Sequence, residues 1–200
     1  MNEISIIGAG GHAKVIIELA EELDYSILNV FDQNIKKSYI LSYKVSHNFF
    51  CIPKNTIVAI GDNSLRKKVS QENILEVSPL IHPKSTISRS ADIDDGTVVM
   101  AGVSINSDVV IGRHCIINTN SSIDHDCIIG DYVHISPNVA LAGNVVVGEG
   151  THIGIGACVI QGVKIGKWCT IGAGAVVIKD VFDFQTVVGN PAKVLDKSDK

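Results

Sequence analysis

From Ile81 to Val177 a branched aliphatic residue occupies every sixth position, 17 times in succession without a miss or an insertion. Four residues after each stands a small or β-branched residue, from Ser85 through Thr97, Cys115, Ser121, Cys127 and Ala157 to Val181. A period of six matches neither the 3.6 of a helix nor the alternation of a simple strand. It is the hexapeptide repeat of a parallel β-helix, in which each hexapeptide supplies one short strand and a turn. Three hexapeptides close one triangular coil, so 17 of them build just under six coils. At a strand spacing of roughly 4.8 Å the resulting prism is about 27 Å tall. Both periodic positions point inward, which predicts a core of aliphatic and small side chains.

Composition narrows the partners. The formal charge of −4 and the lack of a basic stripe argue against nucleic acid or an anionic membrane surface. No apolar run approaches the length of a membrane span. The opening Met-Asn-Glu lacks the positive-then-apolar pattern of a secretory signal, so a cytoplasmic location is expected. Of the five cysteines, Cys115, Cys127 and Cys169 fall in the small inward register, where they read as buried hydrophobes and not as a disulfide or metal framework. Cys115 and Cys169 are three whole coils apart, too far to bridge.

Before the repeats, residues 1–78 read as a small α/β unit, a Rossmann-like half domain. Ile4–Ile7 form a strand, Gly8-Ala-Gly-Gly-His12 a turn, and Ala13–Leu23 a helix with Val15, Ile16, Leu19, Ala20 and Leu23 on one face. Gly8, Gly10 and Ala13 occupy the three small positions of the dinucleotide-binding fingerprint. A second strand, Ile27–Phe31, ends in Asp32, 22 residues beyond Gly10, near where such folds place an acid on the ribose or base. A third strand, Thr56–Ile60, runs into Gly61-Asp62-Asn63, and a helix begins at Ser64. Ile74–Val77 reads as a fourth strand, and 34–54 as a polar, irregular loop. So few strands hold a mononucleotide portion and not a whole NAD. Ser78-Pro79 marks the boundary, residues 79–194 form the β-helix and an extended cap over 187–194, and 195–200 read as a frayed charged tail.

Because inward positions are filled, chemistry must lie on the outside of the prism. Residues 18 apart stack, so His125 lies above Ser107 and beneath Gly143, which has no side chain to cover it. The flanking Asp124 and Asp126 can hold its tautomer and favour the imidazolium. A base of raised proton affinity beside open space suits proton abstraction from an attacking amine or hydroxyl. The alternative is a solvated Asp-His-Asp turn. His134 and His152 also stack, and read as a structural ladder, a cofactor contact or metal ligands; His114 lies in another register, so no third ligand lines up.

The chain resembles the sugar acyltransferases of the sialic-acid O-acetyltransferase type, and most closely the bacillosamine-pathway nucleotide-sugar N-acetyltransferases. Five motifs carry the resemblance: Gly8-Ala-Gly-Gly-His12; Ala59-Ile-Gly-Asp-Asn63 with Arg66; Asn118-Thr-Asn-Ser-Ser-Ile-Asp-His-Asp-Cys127; Ala142-Gly-Asn144; and Gly189-Asn-Pro-Ala-Lys193. The resemblance implies a left-handed parallel β-helix that forms homotrimers, with sites between subunits. It implies His125 as general base with Asp126 raising its basicity. It also implies His134, Gly143, Ile155 and Ala173 along the acetyl-CoA path, with Ala173 replacing a glycine of some relatives. Gly10, Gly11, His12, Asp32, Gln33 and Gly61 match the positions that hold the nucleotide portion of the substrate.

The expected activity is transfer of acetyl from acetyl-CoA to the 4-amino group of a UDP-linked amino sugar, without an acyl-enzyme and without a metal. Alternatives within the transferases are O-acetylation of sialic acid and N-acetylation of GDP-perosamine. A β-helix metalloenzyme and a non-catalytic nucleotide-sugar-binding scaffold complete the set.

Overall fold

A computed structural model describes residues 2–195. The expected tail at 195–200 therefore lies, beyond its first residue, outside the described residues.

The N-terminal unit opens with β1 (Asn2–Ile7), α1 (Gly11–Glu22) and β2 (Tyr25–Phe31), followed by β3 (Tyr39–Ile40), β4 (Tyr43–Ser46), β5 (Thr56–Val58) and α2 (Asn63–Asn73). They form one sheet in the order β3-β4-β2-β1-β5, parallel except for the β3–β4 pair. The order reverses direction at β1, the position where open α/β sheets leave a ligand crevice at the strand ends. Gly8 lies on that rim with φ +112°, and a Cβ there would stand 2.8 Å from the Ala59 carbonyl oxygen. Only glycine allows the ends of β1 and β5 to approach so closely.

Three expectations for this unit need correction. The buried stripe of α1 is Ala13, Ile16, Ile17 and Ala20 with Leu19, while Val15 is exposed. The spacing i, i+3, i+4, i+7 selects Ile17 over Val15. The stretch 34–54 is not wholly irregular, because β3 and β4 form a hairpin whose second strand extends the sheet beside β2. Only Ile40 and Val45 of that hairpin are buried, which leaves too little alternation for the pattern to be read. Ile74–Val77 is not a strand. Ile74 closes α2 in the left-handed conformation (φ 48°), and the buried Val77 accepts a hydrogen bond from the Gly96 N–H at 2.7 Å. Its apolar character covers the foot of the prism instead of extending the sheet.

The repeats fold as the periodicity predicts, in two-residue strands stacked parallel into three faces. One face is eight-stranded, beginning at Leu80–Ile81 and including Ile116–Ile117, His134–Ile135 and His152–Ile153; the second is six-stranded and the third five-stranded. Partners across each rung lie 18 residues apart, as in Ile105↔Ile123 and Ile117↔Ile135. The aliphatic ladder and the small residues fill the interior. Inward hydroxyls are satisfied by the backbone: Thr97 donates to the Gly112 carbonyl at 2.7 Å and Thr151 to that of Gly166 at 2.7 Å. The last coil is two residues short, pairing Thr170 with Thr186, and the chain then folds back as the antiparallel strand Lys193–Val194.

Helix α2 clamps the two units together along the edge between the five- and eight-stranded faces. Its Arg66 is 1% exposed and donates to the carbonyls of His114 (2.7 Å), Tyr132 (2.8 Å), Ile60 (3.0 Å) and Gly61 (3.2 Å) and to Asn63 Oδ1 (2.8 Å). Asn63 donates onward to the Gly150 carbonyl at 2.9 Å. Lys67 pairs with Glu149 and lies 5.8 Å from the Tyr132 ring centre and 5.4 Å from that of Trp168. Arg66→Met keeps much of the buried stem but strands several carbonyls. It is expected to lower stability by at least about 3 kcal/mol in urea denaturation, and an unchanged midpoint would refute the clamp.

Candidate active site

His125 lies in the turn after Ser122–Ile123, on the edge between the six- and five-stranded faces. Its backbone N–H donates to Asp124 Oδ1 at 2.8 Å, and the same carboxylate accepts from Asn106 Nδ2 at 2.7 Å. The ring Nδ1 meets Asp126 Oδ2 at 2.7 Å. With that proton held toward Asp126, Nε2 carries the free lone pair, and it has no partner among the described residues. The Asp126 hydrogen bond, then the Asp124 charge, raises the pKa of the imidazole above its ordinary value. A Cβ on Gly143 would stand 2.5 Å from His125 Cε1 and 2.7 Å from Nε2. The ring thus occupies the space that any side chain at 143 would need. Among the described residues the Gly143 N–H has no acceptor, and the residue is buried against the His125 ring.

The second concave region is a cleft of about 600 Å³ on the rim of the N-terminal sheet. Gly10, Gly11, His12, Asp32, Gln33 and Gly61, the six positions expected to hold a nucleotide, all line it. Burial alone would raise the Asp32 pKa, but the N–H groups of Asn34 (2.8 Å) and Ala9 (2.7 Å) and the Lys37 ammonium outweigh it and hold the carboxyl below its usual range. Lys37 also donates to the Ala9 carbonyl at 2.9 Å, tying the loop to the glycine turn. Helix α1 starts at this cleft with no side-chain cap and no acid in its first turn. Lys37, Phe49 and Leu65 also line the cleft and are not evident from the sequence: Lys37 falls in the stretch read as irregular, and the other two follow no motif.

Between cleft and prism three histidines converge. His134 stacks on His152 with ring centres 4.7 Å apart, and His12 stands 6.5 Å from His134. Burial first, then neighbouring positive charge from Arg66 and, for His134, from His152 as well, lowers His12 to about 4 and His134 to about 3. This seam is therefore neutral at physiological pH. Among the described residues His12 Nε2 is buried with no hydrogen-bond partner, while His134 Nε2 meets Asn118 Nδ2 at 3.3 Å and His152 Nε2 meets Ser136 Oγ at 2.9 Å. Among the described residues no group of three or more His, Cys, Asp or Glu is arranged to hold a metal ion.

The four positions expected along the cofactor path do not form one cluster in a single protomer. His134 lies on the eight-stranded face. Ile155 and Ala173 lie one above the other on the edge that this face shares with the six-stranded one, where Gly174 N donates to the Ile155 carbonyl at 2.8 Å. Gly143 lies with His125 on the opposite edge of the six-stranded face. The inward cysteines are poor nucleophiles: burial pushes Cys115 up to about 12 and raises Cys127 and Cys169. No helix among the described residues is long and apolar enough to cross a membrane.

Comparison with known proteins bears on this arrangement. Residues 3–73 match the PglD N-terminal domain, and 108–143 and 144–179 match the bacterial transferase hexapeptide family of six repeats. The crystal structure of a histidine-to-asparagine variant of perosamine N-acetyltransferase from Caulobacter crescentus, in complex with CoA and GDP-perosamine, is 38% identical. It superposes with a TM-score of 0.92 over 98% of both chains. The chain belongs to the hexapeptide sugar acetyltransferases with a PglD-type N-terminal domain. Another member of this acetyltransferase family, the acetyltransferase domain of PglB from Neisseria gonorrhoeae FA1090 in complex with acetyl coenzyme A, is 36% identical. It covers 98% of this chain and 100% of its own, with a TM-score of 0.90. UDP-N-acetylbacillosamine N-acetyltransferase of Bacillus subtilis (strain 168) is 38% identical over 118 residues, and the match spans about half, 52%, of that relative's length.

The carboxylate contact makes a measurable claim. A raised pKa means that the imidazolium persists to higher pH, and the neutral base dominates only above it. Asp126→Asn removes the largest cause, so the His125 Cε1–H resonance should titrate at lower pH than in the parent protein. An unmoved midpoint would show that Asp126 does not control the ring.

Proposed function

We propose that the protein is an acetyl-CoA-dependent N-acetyltransferase acting on the 4-amino group of a UDP-linked amino-deoxy sugar. The observation that carries this reading is the notch at His125: a tautomer fixed by Asp126, a free Nε2, an unoccupied Gly143 N–H and no side chain above. His125 Nε2 takes the proton as the amine nitrogen bonds to the thioester carbonyl carbon. The carbonyl pair moves onto oxygen, where the Gly143 N–H stabilises it. Collapse reforms the carbonyl and breaks the C–S bond, and the proton on Nε2 passes to the departing sulfur. With the prism cysteines held as thiols, transfer is direct.

In this reading the rim cleft holds the nucleotide sugar. Asp32 accepts from the ribose, and the uncapped N-terminus of α1 at Gly10, Gly11 and His12 faces the diphosphate. Gln33 and Gly61 complete the contacts. The sugar then points toward the seam of His12 and His134. His125 occupies a different edge from that seam, so the site is completed by a neighbouring subunit in a homotrimer. His134, Ile155, Ala173 and Gly143 mark the path of acetyl-CoA. Both co-substrates are cytoplasmic metabolites, and we place the enzyme there. A second reading, N-acetylation of GDP-perosamine, is favoured by the similarity over 98% of the chain to an enzyme solved with that sugar.

His125→Ala should lower kcat by about 10²–10⁴-fold while trimer mass and nucleotide affinity stay unchanged. Full turnover would remove His125 from the role of base. Coenzyme A thiol release measured with UDP- and GDP-linked 4-amino sugars and a CMP-linked sialic acid separates the substrates. Equal release without any sugar nucleotide would sink the reading.

A further inference from the structure

The rim of the N-terminal sheet has one aromatic side chain whose position is not explained by packing alone. Strand β4 ends at Ser46, and the next residues turn along the rim. His47 Nδ1 lies 2.8 Å from the Asp32 carbonyl oxygen, and the Asp32 N–H donates to the Ser46 carbonyl at 3.1 Å. Asn48 Oδ1 accepts from the Phe50 N–H at 3.0 Å. These bonds hold Phe49, half-buried, on the wall of the cleft, with its ring centre 5.7 Å from that of Phe31 at an interplanar angle of 47°. Phe31 is buried, so its core is already covered on the sheet side. Phe49 supplies the phenyl ring of the cleft lining at the β4 end, whereas the other large apolar lining residues, Ile7, Ile60, Leu65 and Val69, belong to β1, the end of β5 and α2.

The strand order then assigns positions along the cleft. Moving across the sheet from β4 through β2 and β1 to β5, the rim presents Phe49, then Asp32, then the glycine turn with the α1 N-terminus, then Ile60 and Gly61. Gly61 is the end that meets the prism, because Arg66 binds its carbonyl together with those of His114 and Tyr132. A nucleotide sugar whose sugar faces the prism, whose diphosphate lies on the helix terminus and whose ribose meets Asp32 has its base at the β4 end. We propose that Phe49 is the platform on which the nucleobase stacks, and that it sets affinity for the nucleoside diphosphate portion of the substrate. The inference rests on the proposed function for the direction in which the substrate lies. It adds a residue of the 47–51 loop that no motif of the chain marks.

The test is binding, read without turnover. Titration calorimetry with UDP and with GDP, on the full chain, should give a Kd about 5- to 100-fold weaker for Phe49→Ala than for the parent, the range found when an aromatic platform is truncated. Phe49→Trp should retain affinity. Inorganic pyrophosphate, which has no base, should bind all variants alike. Phe49→Leu preserves packing on Phe31 while removing the ring, so it serves where Phe49→Ala fails to fold, and it too should weaken both nucleotides. In turnover the KM for the nucleotide sugar rises while kcat and the KM for acetyl-CoA hold. Unchanged UDP and GDP affinity in a folded Phe49→Leu protein overturns the proposal. So does a loss on Leu65→Ala but not on Phe49→Leu, which would put the base at the opposite end of the cleft. A parent protein that binds neither UDP nor GDP defeats the underlying reading itself and the platform with it.

Discussion

The buried Arg66 guanidinium is the centre of the contacts that join the molecule's two halves. Among the described residues Arg66 has no carboxylate in contact; its donors are spent on four backbone carbonyls and one side-chain amide. Burial lowers its pKa to about 10, which still leaves it charged at physiological pH. A charge so deeply placed is tolerable only when every donor is satisfied. Two of the carbonyls belong to successive turns of the prism and two to the rim of the N-terminal sheet. The arginine therefore sets how far the rim stands from the helix, and the histidine seam lies in the gap that it defines.

Histidines in this chain meet two opposite environments, and the difference is one of burial and neighbours. His12, His114 and His134 are held neutral by desolvation and by the positive field of Arg66. His125 stands in solvent between two carboxylates and is pushed the other way. The first group suits neutral hydrogen-bonding partners that stay uncharged as the medium changes. The second suits a proton acceptor. One residue type thus occurs as a neutral, buried ring on one edge and as a solvent-exposed ring of raised basicity on another.

The prism was legible because its signal is redundant: every rung repeats the same inward pair, and a single irregular coil could not hide it. The stacking of His125 beneath Gly143 followed from the same arithmetic, since 18 residues separate any two neighbours along an edge. The hairpin of Tyr39–Ile40 and Tyr43–Ser46 was not legible, because two buried residues in so short a span form no pattern. Ile74–Val77 misled for the opposite reason. Only Val77 of its apolar side chains is buried, and against the prism, while Ile74 is exposed; a window of four residues cannot say which faces what. The convergence of His12 with His134 lay beyond reach as well: they are far apart in sequence and meet only because α2 docks where it does.

The strand Lys193–Val194 runs against all the others on its face. A stack of parallel rungs has two open ends, each offering unpaired N–H and C=O groups on which another chain could continue the array. Reversing direction at the last rung gives an incoming parallel strand a mismatched hydrogen-bonding pattern on that face, while the segment carrying Val77 lies across the foot of the prism. The solenoid therefore terminates on its own sequence, and end-to-end polymerisation into fibres is disfavoured by its construction.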